Sequence, residues 1–211
     1  MDLTKVLYSG VIADILDEYN LRNQAMNTSI RPLGEEDVLA GEAFTILATD
    51  VYEIPARPYE LILQTVDSVG EGQVVVATTN GSSAAGFWGE LLTTRAMRKG
   101  SVGAVIDGLI RDSRVIKELG FPMFIRGYCP LDSKGRTDVI AYNVPIECGG
   151  VRVYPGDFIF ADNDGVVVVP KGIKDEVIEK ALAKVEAENQ VRRELEAGKS
   201  VREVYDKYGI L

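Results

Sequence analysis

The stretch from Gly89 to Asp112, GELLTTRAMRKGSVGAVIDGLIRD, holds the residues best suited to chemistry. Arg111 and Asp112 follow an apolar run, which puts a guanidinium and a carboxylate side by side where a buried strand should end. Arg111 offers a planar fork that matches a carboxylate or a neighbouring carbonyl oxygen. Asp112 offers an oxygen ligand for a hard cation, and a single carboxylate suits Mg2+, which keeps several waters and takes further oxygens from its substrate. Gly89 to Leu92 open a helix after the glycine-rich loop NGSSAAGFWG, and the unpaired amides of such a start favour anions. These groups together suit a 2-oxo acid. Two plainer readings stand beside this one: an Arg-Asp pair after a strand is also ordinary surface chemistry, and Glu90 in a first helical turn also complements the helix dipole.

What the chain lacks narrows the chemistry further. None of its 211 residues is histidine, which excludes Ser-His and Cys-His nucleophile pairs and imidazole ligands for zinc or copper. A metal would sit on oxygen, favouring Mg2+, Mn2+ or Ca2+, or less simply on cysteine. The formal charge of −9 argues against a continuous phosphate-binding surface, so nucleic acid is not an expected partner. No apolar stretch approaches the roughly 20 residues of a bilayer span, and MDLTKVLYSG lacks the pattern of a secretory leader. The expectation is a cytoplasmic protein in which Cys129 and Cys148 are reduced thiols.

The elements that must position these residues read as follows. Ser9 is expected to cap a helix running to about Glu18, with Val11, Ile12, Ile15 and Leu16 on its apolar face. Leu39–Thr49 reads as a strand, 58–68 as a helix and Gln73–Ala77 as a buried strand. A helix over 89–99, a strand over 102–110, a short helix over 113–119 and a strand over 122–126 complete the alternation of a parallel α/β layer. From Asp138 the texture becomes short strands broken by Gly-Gly, Pro-Gly and Asn-Asp-Gly, which predicts a barrel-like or sandwich-like part packed on the α/β part. The charged tail, 171–211, is expected to be helical, with Val177, Ile178, Leu182 and Val185 on one face and a capping box at Ser200 and Glu203. It either reaches a neighbouring subunit or covers its own sheet.

The text LAGEAFT, WGELLTTRAMRKGSVGAVIDGLIRD, ELGFPMFIRG, CGGVRVYPGD and ADNDGVVVVP resembles the family of 4-hydroxy-4-methyl-2-oxoglutarate aldolases and the regulator of ribonuclease activity A. The family pattern is an acidic residue, twenty intervening residues, then Arg-Asp; Glu90, Arg111 and Asp112 keep that spacing, with Glu where those aldolases typically have Asp. The resemblance implies an α/β fold of the β/β/α swivelling-domain type, one domain over 1–211 with a helical tail, assembled as a homotrimer or a pair of trimers. It also implies that Gly89, Glu90, Leu91, Leu92 and Arg111 contact substrate and that Asp112 anchors a divalent metal, Mg2+ or Mn2+, directly or through water. The implied activity is retro-aldol cleavage of a 4-hydroxy-2-oxo acid to pyruvate and a second carbonyl compound, with oxaloacetate decarboxylation as a side activity. Arg111 would stabilise the enolate, and Glu90 acting through water, or an activated water, would take the 4-hydroxyl proton.

The second reading is a non-catalytic protein that docks on a ribonuclease. A nucleotide-binding methyltransferase is not expected, because VGEGQVVV precedes a strand and lacks the third glycine. Lys99, Lys117 and Lys134 read as solvated charges rather than Schiff-base formers. Asp162 to Gly165 reads as a turn between strands, Phe87 and Trp88 as packing residues, and Arg126 and Tyr128 as possible borders of the pocket.

Overall fold

The computed structural model describes residues 1–210. Helix α1 (Ser9–Glu18) and the short strand β1 (Arg31–Pro32) come first. Strand and helix then alternate through β2 (Leu39–Asp50), α2 (Glu60–Asp67), β3 (Gln73–Thr78), α3 (Glu90–Arg98), β4 (Gly103–Ile110), α4 (Ser113–Leu119) and β5 (Met123–Tyr128). Five short strands follow: β6 (Thr137–Tyr142), β7 (Ile146–Cys148), β8 (Val151–Val153), β9 (Phe158–Asp162) and β10 (Gly165–Val169). The tail forms α5 (Lys174–Glu196) and α6 (Val201–Tyr208). No helix among the described residues is long and apolar enough to cross a membrane.

Strands β2 to β5 pair in parallel, with Phe44 beside Val75, Val75 beside Ala104 and Val105 beside Phe124. Successive residues of β3 point to opposite faces and both faces are covered, which is why QVVVAT is apolar without alternation. On one face Val75, Ala77, Ala104 and Ile106 pack beneath Ile62 of α2, Ala96 of α3 and Ile116 of α4. On the other, Val74, Val76 and Val105 meet Ile146, Cys148, Val151 and Val153 of the β7–β8 ribbon. Ribbon, mixed sheet and helices are the three layers of a β/β/α fold.

The β-rich half, expected as a barrel-like or sandwich-like part packed on the α/β part, mostly joins the same mixed sheet. Strand β2 is long enough to serve two partners on one edge: Leu39 to Glu42 pair antiparallel with β9, and Ile46 to Asp50 pair with β6. The β9–β10 hairpin therefore extends the same sheet, and only β7–β8 stands apart as a two-stranded layer. Residues 162 to 165 make the tight turn of that hairpin, as their Asn-Asp-Gly text predicts.

The tail covers its own sheet. Val177 and Ala181 of α5 pack with Val11 and Ile15 of α1 over Phe160 and Val169. Lys184 and Lys180 reach Asp14 and Glu18 at 2.6 and 3.2 Å. The expected capping box of Ser200 and Glu203 starts α6. That helix turns back so that Lys207 and Tyr208 meet Glu194 at 2.7 and 2.9 Å. Lys207 and Lys199 hold the Glu194 carboxyl down at about 2.

Ser9 is not the cap of α1. It is the first helical residue, and the Tyr8 that precedes it makes no side-chain cap bond. The cap comes from β9: Asp162 accepts the Ser9 N–H and the Ser9 hydroxyl, both at 2.7 Å. A carboxylate at a helix N-terminus satisfies an orphan donor and complements the dipole. Asp162→Ala is therefore expected to cost about 1 kcal/mol, read as a lower denaturant midpoint with an unchanged slope.

Candidate active site

The site is built where β4 ends. Residues Gly86 to Trp88 run beside that end as an extra short bridge segment, with Trp88 next to Ile110 and Gly86 next to Asp132. Backbone bonds lock it on both sides: Phe87 N–H to the Leu109 carbonyl at 2.8 Å, Gly86 N–H to the Leu131 carbonyl at 2.9 Å, and Arg111 N–H to the Trp88 carbonyl at 2.9 Å. This threading is tight. A β carbon at Gly86 would stand 2.4 Å from the Cys129 carbonyl oxygen, and one at Gly89 would stand 2.7 Å from Asp112 Oδ2. Trp88 is fully buried and donates from Nε1 to the Thr93 hydroxyl at 2.9 Å, so it packs as expected. Phe87 both packs and walls a cavity.

The start of α3 is thereby held over the start of α4. Asp112 caps α4 in a left-handed conformation (φ 59°) and turns its carboxylate toward α3, where Oδ2 accepts the Glu90 N–H at 3.2 Å. Gly89 is the N-cap of α3 and supplies no side chain, which leaves the Leu91 and Leu92 amides without intrahelical acceptors. The groups proposed from the sequence thus meet, with one qualification of role: the Glu90 amide is already engaged by Asp112. The Glu90 side chain accepts from the Thr94 hydroxyl at 2.9 Å and borders a shallow hollow with Asp112 and Arg114 rather than the main cavity.

That cavity, of about 280 Å³, is shared by Arg111, Asp112, Leu91 and Leu92 with residues from α2 and β6. Arg111 stands in its wall, Nε 3.6 Å from Asp112 Oδ2 and Nη1 3.0 Å from Asp132 Oδ1. The Tyr59 hydroxyl donates to the other Asp132 oxygen, so Tyr59, Asp132 and Arg111 form one chain of contacts. The Tyr59 hydroxyl is the main cause of a lowered Asp132 carboxyl, with Arg111 adding to it against burial. The same bond, then burial and the Asp132 charge, raise the Tyr59 phenol. Asp132 is accordingly ionised and Tyr59 protonated at neutral pH. Sequence reasoning missed both. Tyr59 sits in the turn before α2 and Asp132 in the turn after β5, and neither stands in a motif; the left-handed backbone of Tyr59 (φ 67°) has no signal in a non-glycine residue.

Other candidates fall outside the cavity. Arg126 lies toward the ribbon face, 3.5 Å from Asp107, and Tyr128 borders a separate shallow depression beside Arg111. Cys148 is fully buried on the inner face of that ribbon, where burial pushes its thiol up, and both cysteines are unpaired. Among the described residues no group of three or more His, Cys, Asp or Glu side chains gathers to hold a cation. An all-protein cage is therefore not present. A half-exposed Asp112 at a cavity mouth does fit Mg2+ or Mn2+, which need one or two carboxylates and complete their shells with water and substrate oxygens. The charge balance points the same way: the guanidinium faces Asp112 and Asp132, and Asp138 also lines the cavity, so an organic anion entering here meets more carboxylates than cations unless a counter-cation is bound.

Comparison with known proteins agrees with this architecture. A protein from Halalkalibacterium halodurans named "Putative 4-hydroxy-4-methyl-2-oxoglutarate aldolase" is 36% identical over 181 residues, 86% of this chain and 80% of that one. The crystal structure of Streptomyces coelicolor RraAS2, described as an unusual member of the RNase ES inhibitor RraA protein family, is 30% identical with a TM-score of 0.78, covering 90% of this chain and 93% of that one. An uncharacterized protein from Pseudomonas syringae superimposes with a TM-score of 0.86 at 27% identity, covering 98% of this chain and 92% of that one. The model of the RraA-like family, described as Aldolase/RraA, matches residues 10–168, and the chain belongs to that family.

Proposed function

We propose that this protein is a divalent-metal-dependent lyase that cleaves a 4-hydroxy-2-oxo acid between C3 and C4, giving pyruvate and a second carbonyl compound, and that it decarboxylates oxaloacetate at the same site. One observation carries the reading. The Arg111 guanidinium and the Asp112 carboxylate, adjacent in sequence, are both held against the start of α3, where free amides and a cation ligand face one cavity.

A cation held by Asp112 supplies Lewis-acid charge next to the headgroup of the substrate. Arg111 binds the oxygens on which charge develops as the carbon–carbon bond breaks, and its fixed orientation needs no rearrangement at that moment. The Leu91 and Leu92 amides take the substrate carboxylate. Asp132, anchored by Tyr59, keeps Arg111 in place. Glu90 accepts the 4-hydroxyl proton through water in the hollow it shares with Asp112, since Asp132 is too weak a base for the task. Both reactions reach the same pyruvate enolate. Assembly as a trimer or a pair of trimers belongs to the same reading.

The test is pyruvate release from a panel of 4-hydroxy-2-oxo acids and oxaloacetate, before and after chelation and with Mg2+ or Mn2+ restored. Release that vanishes on chelation and returns with metal is expected. Absence of release throughout, from folded and metal-loaded protein, would move the assignment to a ribonuclease-binding regulator, in line with RraAS2, a member of the RNase ES inhibitor RraA protein family.

The pH dependence follows from Asp132 and Tyr59. Asp132 is depressed, so its hold on Arg111 is complete above the ordinary carboxylate range and is lost as pH falls through the lowered value. Tyr59 is raised, so its bond is complete below the ordinary phenol value of about 10 and is lost only as pH rises beyond it. Neither group limits kcat/KM between those bounds. Tyr59→Phe removes the main cause of the Asp132 depression, and the Asp132 carboxyl, followed by NMR titration, is expected to titrate at higher pH, with a stability loss of about 1 kcal/mol.

A further inference from the structure

Helix α3 starts without the usual cap. A serine or aspartate at the N-cap would accept the N–H of the second or third helical residue and stiffen the first turn. Gly89 stands there instead, and a β carbon on it would lie 2.7 Å from Asp112 Oδ2 and 3.3 Å from Arg111 Cγ. The Arg-Asp pair therefore excludes a capping side chain, and one that did fit would take up the Leu91 and Leu92 amides. The rigidity of this helix start has another source.

Trp88 and Thr93 supply it. They stand at the position before the cap and at the fourth helical residue, where a pair of apolar side chains often staples a helix start and fixes the angle at which the chain enters. Here the staple is hydrogen-bonded. Trp88 Nε1–H donates to Thr93 Oγ1 at 2.9 Å, and the Thr93 hydroxyl donates to the Gly89 carbonyl at 3.0 Å. Both side chains are fully buried, so a partner lost from either leaves a polar atom with no water to replace it. The Thr93 N–H reaches the same Gly89 carbonyl at 3.1 Å, and the Trp88 carbonyl accepts the Arg111 N–H at 2.9 Å. One unit thus ties the first turn of α3 to the backbone of Arg111.

We infer that Trp88 and Thr93 are positioning residues: their staple holds the Leu91 and Leu92 amides in register with Arg111, so that one substrate headgroup meets both. The inference rests on the lyase reading for the identity of that headgroup, but its mechanics are separate. Amides that bind a carboxylate remote from the breaking bond hold substrate and transition state alike, so loosening them raises KM and leaves kcat in place. The Arg111 side chain meanwhile keeps its own contacts with Asp112 and Asp132.

Two substitutions at one position isolate the hydroxyl. Thr93→Val keeps the volume and removes the hydroxyl; Thr93→Ser keeps the hydroxyl and removes a methyl group. The probe is pyruvate, titrated into the Mg2+-loaded protein and followed by ligand NMR. Thr93→Val is expected to raise the pyruvate Kd, and KM for a cleaved hydroxy acid, by about tenfold, the scale of one hydrogen bond to a charged group. It should leave kcat in place and shift the emission of Trp88, the only tryptophan in the chain. Thr93→Ser is expected to restore Kd and KM. Trp88→Phe, which keeps a buried ring without the N–H donor, should raise the same Kd and carries the test if the valine variant does not fold. A wild-type Kd in folded Thr93→Val or Trp88→Phe protein overturns the inference. So do a lower kcat at unchanged Kd, a serine variant as impaired as the valine one, and wild-type protein that binds no pyruvate. Staple-dependent pyruvate binding without release from any hydroxy acid removes the lyase reading and leaves the staple standing. Pyruvate release that Thr93→Val leaves unchanged does the reverse.

Discussion

Arg111→Ala is expected to lower kcat/KM for retro-aldol cleavage and for oxaloacetate decarboxylation together, each by about 10²- to 10³-fold, the range found when one fixed donor to a developing oxyanion is removed. The two losses should match because in the proposed mechanism both reactions pass through one enolate, and among the described residues Arg111 is the only cationic side chain in the lining of the cavity. The fold should survive, since the Arg111 side chain is about one-third exposed and its backbone N–H, which holds the Gly86–Trp88 segment, is unchanged by the substitution. The variant also releases Asp132 from its cation, so some of the loss is expected to appear in KM as a more repulsive cavity. Steady-state kinetics on both substrates checks this. A variant in which one activity collapses and the other is untouched would break the shared-intermediate reading.

How much of this was legible beforehand depends on how local the cause is. Helix α4 was readable to the residue at both ends and α1 to within one residue at its start, because an apolar stripe at helical spacing and flanking turn residues are written within ten positions. The Ser200–Glu203 capping box was readable for the same reason. The cap of α1 was not, because Asp162 lies 153 residues from Ser9 and arrives only when β9 joins the sheet. The mixed β/β/α class was legible, but not which edge the β-rich half joins, because short strands and turns say nothing about it; the length of β2, which allows two partners on one edge, decided it. In the site, Arg111, Asp112 and the α3 start were legible as a motif. Tyr59 and Asp132 were not, being 73 positions apart in sequence and joined only by the packing of α2 near the turn after β5.

Asp112→Asn separates chemistry from architecture at the centre of the site. Asp112 occupies a left-handed backbone position and accepts the Glu90 N–H, and in the proposed mechanism it has a third role, offering anionic oxygen to a cation. Asparagine tolerates the left-handed region about as well as aspartate and keeps a carbonyl oxygen for Glu90, so the first two roles persist. Only the charge is lost. Stability is expected to change by less than about 1 kcal/mol, while metal-dependent pyruvate release falls by about 10²- to 10³-fold, the equivalent of the several kcal/mol a bound cation contributes to charge stabilisation. Asp112→Ala should lose the same activity and also about 1–2 kcal/mol of stability, since alanine in a left-handed conformation is strained and the Glu90 amide is left without its acceptor. Thermal unfolding of both variants, set beside their pyruvate release at saturating Mg2+, distinguishes the roles. If Asp112→Asn keeps full metal-dependent activity, the carboxylate serves only to join α3 to α4, and the cation must be held elsewhere.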